Sequence, residues 1–349
     1  MPRLLSLKTP DLISSVYLLG LIFLVLAARE RITDWRWLLA RYALLMVLQV
    51  AVAAGRGRGL PRILAAFFPL VPVLVIYDSL RFIPELNPGD RDDLLIWIDR
   101  TVLGGDASLW LERITTPWLT ELLQLAYLVY YVIPLVLLGT LYHQQTRLAK
   151  EPGQTREHAG AFDLCLVALL LSHYFAFIGY MAIPALGPRF ALAPTYRTEL
   201  TGLLVAEPIR HLLDALEGIK RDAFPSGHTS AALISLHYAF RFTPRLAYYA
   251  LPAVSLMIFA SLYMRYHYAV DILGGGILAA LCVLLAPRFL RHEPRPPGAD
   301  RCTGGESLGS RSGAVKNQLG READLTPRWP ASLGRNGAEP SSGWQGKKR

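Results

Sequence analysis

The stretch SLYMRYHYAVDILGGGILAALCVLL, residues 261–285, joins the end of one long apolar run to the beginning of another. Its charged and histidine side chains are confined to the heptapeptide RYHYAVD, residues 265–271, between apolar runs at 246–264 and 270–288. An apolar run of about 18 or more residues is long enough to cross the hydrocarbon core of a bilayer as a helix. The heptapeptide is therefore predicted to lie at a membrane face, between two transmembrane helices.

The same pattern recurs on either side of this stretch. The chain of 349 residues is 52% hydrophobic and only 18% charged, and the apolar residues come in long blocks rather than with an amphipathic period. These blocks predict an all-α fold, a polytopic membrane helical bundle of about eight transmembrane helices. The predicted spans are 11–28, 37–55, 62–80, 119–142, 162–184, 227–241, 246–264 and 270–288, of which the sixth is the shortest.

Composition divides the chain into three predicted parts. Residues 1–118 comprise N-terminal transmembrane helices and an acidic interfacial loop, and residues 119–290 form a catalytic membrane bundle. Residues 291–349 are basic, rich in Gly, Ser, Pro and Arg, and too poor in large apolar residues to bury a core, so they are predicted to be disordered. A leucine-rich segment at 203–219 has two open interpretations, a helix lying in the membrane surface or a helix packed on the protein.

The net charge of +9 is attributed to the tail and to short loops, as is usual for a membrane protein, and no nucleic-acid partner is expected. Three cysteines, at 165, 282 and 302, have no spacing typical of disulfides or metal sites. The distribution of Lys and Arg predicts that both termini lie inside. The expected location is the plasma (inner) membrane, with the active site on the extracytoplasmic face.

Three polar clusters stand out against this apolar background. They are Gly187-Pro188-Arg189 after the fifth predicted span, Phe224-Pro225-Ser226-Gly227-His228 at the start of the sixth, and the heptapeptide between the seventh and eighth. Counting spans places all three clusters at one membrane face, although they are far apart along the chain.

The heptapeptide combines a nucleophile, an orienting acid and a phosphate ligand. His267 and Asp271 are four positions apart, which on a helix brings them into contact. A carboxylate bonded to one imidazole nitrogen fixes the tautomer and leaves the other nitrogen free to attack. Arg265 offers a planar, permanently charged fork that suits phosphate oxygens. This pattern predicts phosphate chemistry.

The second cluster adds an anion site and an acid. Pro225 followed by Ser226 and Gly227 marks the start of a helix, and the backbone N–H groups at a helix N-terminus bind anions. His228 is placed there to donate a proton. Taken singly, a boundary histidine, a helix start and a snorkelling arginine all have ordinary structural explanations. Their combination at one face favours function, since polar groups near hydrocarbon are costly. By contrast, His173 and His237 are expected to be structural.

These motifs, over about residues 120–290, resemble the type 2 phosphatidic acid phosphatase superfamily of lipid phosphatases and phosphotransferases. The third motif is most similar to the branch that contains inositol phosphorylceramide synthases. The resemblance implies that His267 becomes phosphorylated, that Asp271 orients it and that His228 protonates the leaving oxygen. It also implies that the phosphate is held by Arg189, Arg265, Ser226 and Gly227, and it implies no metal or other cofactor.

Two departures from the superfamily pattern concern its first and third motifs. The lysine that usually stands seven residues before the first-motif arginine is Ala182 here, with Lys220 or Arg221 as candidates to supply the charge. Only Tyr266 separates the arginine and histidine of the third motif, where five residues are common.

The expected function is that of a metal-independent membrane phosphatase acting on lipid phosphate esters through a phosphohistidine. The alternative is a lipid phosphotransferase, which would pass the phosphoryl group to an alcohol rather than to water. An alternative of another class is a lipid-binding or transport protein without enzymatic activity. The sequence indicates the membrane and a lipid phosphate as partners, but no oligomeric state.

Overall fold

In the computed structural model, residues 7–56, 59–148, 160–216 and 219–290 are described, and they contain helices but no strand. The predicted disordered tail, 291–349, lies outside these ranges. The α-helices are α1 (Thr9–Ala27), α2 (Trp35–Gly55), α3 (Arg62–Phe67), α4 (Leu70–Ser79), α5 (Ile83–Leu86), α6 (Asp92–Leu103), α7 (Ala107–Leu111), α8 (Pro117–Tyr127), α9 (Val129–Leu148), α10 (Ala161–Ala182), α11 (Pro188–Ala191), α12 (Ala206–Leu216), α13 (Gly227–Phe242), α14 (Pro244–Tyr263) and α15 (Ala269–Leu290).

The protein is an integral membrane protein, and the predicted all-helical bundle is confirmed. Six segments of the described chain are long and apolar enough to cross a bilayer: α1, α2, the continuous pair α8–α9, α10, α14 and α15. The predicted span at 62–80 is divided by Pro69, which has no N–H to continue a helix, and the span at 227–241 is the 16-residue helix α13. The count of eight therefore stays a prediction.

The two helices α10 and α13 form the centre of the bundle. Helix α10 packs against α1, α9, α13 and α15, and α13 packs against α9, α14 and α15. Because α13 is enclosed by other helices, it carries polar side chains that a lipid-facing helix would not. Thr229, Ser230 and Ser235 are fully buried, and the Ser230 hydroxyl lies 2.5 Å from that of Ser172 on α10.

The N-termini of α13 and α15 lie side by side. The Ser226 N–H donates to the carbonyl of Asp271 at 3.0 Å. A Cβ at Gly275 would come within 2.5 Å of the Ser226 carbonyl oxygen, so a glycine is required for this close approach. The sequence of α15 thus brings the second and third motifs together.

Helix α12 corresponds to the leucine-rich segment with two open interpretations. It packs on α8, with Leu213 buried and Ile209 partly buried, whereas Leu212 is exposed. The carboxylate of Glu121 on α8 accepts hydrogen bonds from the backbone N–H groups of residues 203–206, which lead into this helix. These contacts favour a helix packed on the protein. Ile219, the last residue of the predicted segment 203–219, lies beyond the end of α12.

Candidate active site

Four of the predicted site residues line one cavity of about 50 Å³: His228, His267, Arg189 and Arg265. Lys220, Asp214, Asp222 and Tyr127 also line this cavity. The remaining predicted residues, Asp271, Ser226 and Gly227, do not line this cavity. The structure therefore brings together the two histidines and the two arginines that sequence reasoning assigned.

The two histidines face each other across this cavity. His267 Nε2 lies 3.4 Å from His228 Nδ1, and both side chains are buried. On the other side of its ring, His267 Nδ1 lies 3.0 Å from the carbonyl oxygen of Ala223. A carbonyl oxygen only accepts hydrogen bonds, so Nδ1 carries the proton and Nε2 of the neutral ring carries the lone pair. The nitrogen that points at His228 is thus the nucleophilic one.

Asp271 is close to His267, but in a different arrangement from the one predicted. Helix α15 begins at Ala269, so His267 precedes the helix instead of lying one turn below Asp271. The distance from Asp271 Oδ2 to His267 Nδ1 is 3.5 Å, while the same oxygen accepts the Tyr268 N–H at 2.7 Å. The carboxylate thus caps the first turn of α15. The Ala223 carbonyl is the nearer acceptor for His267, and sequence reasoning missed it.

His228 is the second residue of helix α13 and contacts two aromatic side chains. Its Nε2 lies 3.0 Å from the Tyr127 hydroxyl, and its ring centroid lies 4.2 Å from that of Tyr130. Helix α8 ends at Tyr127, so the continuous pair α8–α9 supplies both aromatic contacts.

Arg189 is tied into the site through both its backbone and its side chain. Its N–H donates to the Arg265 carbonyl at 2.8 Å. Its two terminal nitrogens each lie 2.7 Å from one oxygen of Asp214 on α12, which is the bidentate geometry of guanidinium and carboxylate. A phosphate group presents a similar pair of oxygens, so the fork of Arg189 has the shape and charge required of a phosphate ligand.

Arg265 is held in a strained backbone conformation, with a φ of +64°. Few non-glycine residues adopt this left-handed backbone conformation, and those that do are held in it by surrounding contacts. The guanidinium lies 3.6 Å above the Tyr196 ring centroid and donates to the Thr198 carbonyl at 2.7 Å, with Glu112 at 3.5 Å. These contacts fix the side chain at the wall of the cavity.

Ser226 and Gly227 do not line the cavity between the histidines, and their contacts are structural. The Ser226 oxygen accepts the Thr229 N–H at 3.2 Å as the N-cap of α13, and the hydroxyl lies 3.0 Å from Thr229 Oγ1. A Cβ at Gly227 would come within 2.6 Å of the Tyr180 hydroxyl. Their predicted role in phosphate binding stays a prediction.

Two carboxylates of helix α6 hold the motifs in place, although the sequence placed them only in an acidic interfacial loop. Asp92 accepts the backbone N–H groups of Leu186 and Gly187 and the Tyr268 hydroxyl, at 2.8–2.9 Å. Asp99 accepts the N–H groups at the start of α15, from Ala269 and Val270, both at 2.8 Å. Helix α6 thus connects the first motif with the third.

Lys220 and Arg221 were the candidates for the missing first-motif charge. Lys220 lines the cavity, with its ammonium 5.5 Å from the Phe190 ring centroid. Arg221 forms a salt bridge with Asp90 outside the cavity. The position of Lys220 favours it as the additional phosphate ligand.

Asp222 places a carboxyl group in the same cavity. Burial raises the pKa of this group, while the Tyr77 hydroxyl, which donates to it at 2.6 Å, and the nearby His267 act in the opposite direction. Within the described ranges, no cluster of three or more His, Cys, Asp or Glu side chains has the arrangement of a metal site.

Two larger cavities adjoin the one between the histidines. One, of about 410 Å³, shares Arg189 and Arg265 with it and is lined mainly by polar side chains such as Glu199, Glu207 and Arg210. The other, of about 250 Å³, shares His228 and is an apolar groove between α4, α9 and α10. Its lining includes Leu74, Leu135, Leu169, Phe177 and the partly polar pair Tyr130 and His173.

A buried histidine pair with arginines at one face of a helical membrane bundle defines a site suited to phosphate transfer. Residues 162–295 match the model of the PAP2 superfamily. The resemblance drawn from the motifs is thereby confirmed, although the match begins at residue 162 rather than near 120. His228, His267, Asp271, Arg189 and Arg265 lie within the matched segment.

Three curated proteins are similar to this chain. A PA-phosphatase related-family protein of Dictyostelium discoideum is 24% identical over 67% of this chain and 44% of its own. The inositol phosphorylceramide synthase of Candida albicans is 26% identical over 61% of this chain and 46% of its own. The catalytic subunit of that synthase from Schizosaccharomyces pombe is 24% identical over 64% and 54%. The chain spans about half the length of these relatives, and no solved structure is a significant match.

Proposed function

We propose that this integral membrane protein transfers the phosphate of a lipid phosphate ester through a phosphohistidine at His267, without a metal ion. The observation that carries the proposal is the His267 Nε2–His228 Nδ1 separation of 3.4 Å within a cavity lined by Arg189 and Arg265. A nucleophile, a proton donor and two phosphate ligands thereby share one site. The match of residues 162–295 to the PAP2 superfamily supports an enzyme, either a phosphatase or a phosphotransferase.

The proposed reaction has two displacement steps. In the first, the lone pair of His267 Nε2 attacks phosphorus, the bond from phosphorus to the ester oxygen breaks, and that oxygen takes the Nδ1 proton of the His228 imidazolium, which becomes a neutral ring with its remaining proton on Nε2. In the second, an acceptor O–H attacks phosphorus and gives its proton to His228, while the P–N bond breaks and returns its electron pair to Nε2. Arg189, Arg265 and Lys220 would stabilise the negative charge on the phosphate oxygens.

A lipid is the proposed substrate because the apolar groove meets the cavity at His228. The ester oxygen that receives the proton of His228 is the one attached to the hydrocarbon part of the substrate. A groove of about 250 Å³ between membrane helices suits that hydrocarbon, with the phosphate on the polar side of His228.

Water is the proposed acceptor, which makes the protein a lipid phosphatase. The cavity between the histidines, about 50 Å³, is much smaller than the two cavities that adjoin it, which favours a small acceptor such as water. A second candidate is a phosphotransferase with an alcohol acceptor. It is supported by the adjoining polar cavity of about 410 Å³ and by the two similar proteins that are inositol phosphorylceramide synthases.

Phosphate release from phosphatidic acid in detergent micelles tests the proposal. The wild type should release phosphate, and His267→Ala should not. His237→Ala is a matched control, because His237 is an exposed histidine on the same helix as His228, and it should retain activity. A wild type without phosphate release or phosphoenzyme would favour the lipid-binding or transport alternative.

The acceptor is tested by adding inositol or glycerol to the same micelles. Free phosphate released at an unchanged rate, without a new lipid product, supports the phosphatase. A new phosphate ester formed at the expense of free phosphate would support the transferase instead. A site on the extracytoplasmic face of the plasma (inner) membrane is part of the proposal, supported by the distribution of basic residues.

A further inference from the structure

Tyr127 lies directly behind His228, at the end of α8. Its side chain is buried, its hydroxyl lies 3.0 Å from His228 Nε2, and its ring packs on that of Tyr266 with centroids 4.6 Å apart. It also lines the cavity between the histidines. Tyr127 is outside the segment 162–295 that matches the superfamily, and the motifs give it no role.

The hydrogen bonds across the site determine which nitrogen of His228 is protonated. His267 Nδ1 donates to Ala223, so its Nε2 presents a lone pair to His228 Nδ1. A lone pair on His228 Nδ1 would repel this nitrogen, so Nδ1 must carry a proton. In the neutral ring His228 Nε2 is then the acceptor, and the Tyr127 hydroxyl is its donor.

We propose that Tyr127 is a positioning residue: its hydroxyl accepts a hydrogen bond from Nε2–H of the His228 imidazolium and so keeps the Nδ1 proton turned towards the substrate. The inference rests on the proposed function, in which that proton goes to the leaving oxygen. A hydroxyl suits this position in both charge states of His228, because it donates to the neutral ring and accepts from Nε2–H of the imidazolium. Without the hydroxyl, the buried Nε2–H of the imidazolium loses this acceptor, so the protonated form that gives its Nδ1 proton to the leaving oxygen is destabilised.

Tyr130 provides a matched control on the same helical segment. Its ring also contacts His228, at 4.2 Å between centroids, but its hydroxyl lies 3.3 Å from His173 Nε2. His173 Nδ1 is 2.7 Å from the Leu169 carbonyl, so the Tyr130 hydroxyl donates towards His173. Tyr127→Phe therefore removes the hydroxyl beside His228 Nε2, whereas Tyr130→Phe removes a hydroxyl beside His173 and keeps the aromatic ring next to His228.

The first test compares two leaving groups. Phosphatidic acid releases an aliphatic alcohol that requires protonation, whereas p-nitrophenyl phosphate releases a phenolate that does not. Tyr127→Phe should lower kcat for phosphatidic acid about 10- to 100-fold, the effect of one hydrogen bond to a charged group, with little change in KM. It should lower kcat for p-nitrophenyl phosphate less than about 3-fold. Equal losses of kcat with both substrates would overturn the proposal. A kcat of Tyr127→Phe for phosphatidic acid equal to that of the wild type would also overturn it.

The second test is a double-mutant cycle with His228→Gln, followed by single-turnover release of labelled phosphate from phosphatidic acid. If Tyr127 acts through His228, Tyr127→Phe should cause no further loss in the His228→Gln background. A multiplicative loss would refute the inference even where p-nitrophenyl phosphate is a poor substrate. Tyr130→Phe should show no preference between leaving groups. A wild type that forms no His267-dependent phosphoenzyme would instead refute the proposed function itself.

Discussion

The most informative substitution at the site is Asp271→Asn, because two acceptors lie near His267 Nδ1. The Ala223 carbonyl is 3.0 Å away and the Asp271 carboxylate 3.5 Å away. Asparagine keeps the size of the side chain, and its oxygen can still accept the Tyr268 N–H that Asp271 caps at 2.7 Å. The substitution therefore removes the negative charge next to the imidazole while it leaves the fold and the carbonyl contact intact.

The expected loss of rate follows from these two distances. A hydrogen bond to a charged group contributes about 1.5–3 kcal/mol. A separation of 3.5 Å is at the long limit of such bonds, so about 1.5–2 kcal/mol is expected, or roughly a 10- to 30-fold lower rate of phosphoenzyme formation. Where a carboxylate alone determines the tautomer of a catalytic histidine, the same substitution costs about 10⁴-fold.

Single-turnover formation of the labelled phosphoenzyme in detergent measures this rate directly. Asp93→Asn is the matched control, since Asp93 is exposed in the first turn of α6, and it should leave the rate unchanged. Thermal unfolding in the same detergent should be nearly unaffected in both variants. A loss of 10³-fold or more with intact stability would refute the role assigned to the Ala223 carbonyl. A loss of rate below about 2-fold would show that Asp271 serves only as a helix cap.

Three further outcomes are expected. Asp99→Ala leaves the N–H groups of Ala269 and Val270 without their carboxylate, so unfolding should become easier by about 1–3 kcal/mol, and an unchanged thermal midpoint would contradict this. Burial raises the pKa of Asp222, so ionisation of this carboxyl group above the unfolded-state pKa of about 4 destabilises the folded wild type. The neutral variant Asp222→Asn should therefore become more stable relative to the wild type as the pH rises from about 4. A relative gain confined to acidic pH would contradict this. Reporter fusions at residues 200 and 300 should lie on opposite membrane sides, and same-side signals would be incompatible with the predicted eight spans.

The parts of the fold that follow from local composition could be predicted from the sequence. The apolar runs predicted the membrane helices, and Arg189, His228 and His267, which were expected at one face, line one cavity. The sixth and third spans were less predictable. Helix α13 is enclosed by protein and needs no long apolar surface, and Pro69 interrupts the segment 62–80.

The contacts that orient the site could not be predicted in the same way. The partner of His267 Nδ1 is the backbone carbonyl of Ala223. Every residue has such a carbonyl, so the sequence does not indicate which one accepts this hydrogen bond. Asp92 and Asp99 resemble solvated acids of a loop until helix α6 is placed against the motifs. Tyr127 precedes His228 by 101 positions and reads as an ordinary aromatic residue of a membrane helix.

The central claim, that His267 carries the phosphate during turnover, is tested most directly by locating the phosphoenzyme. Labelled phosphatidic acid is mixed with the protein in detergent, the reaction is stopped in alkali, which preserves phosphohistidine, and the labelled peptide is identified by mass spectrometry. We predict label on His267, none in His267→Ala, and wild-type labelling in His237→Ala. Label on another residue, or undiminished labelling of His267→Ala, would contradict the account.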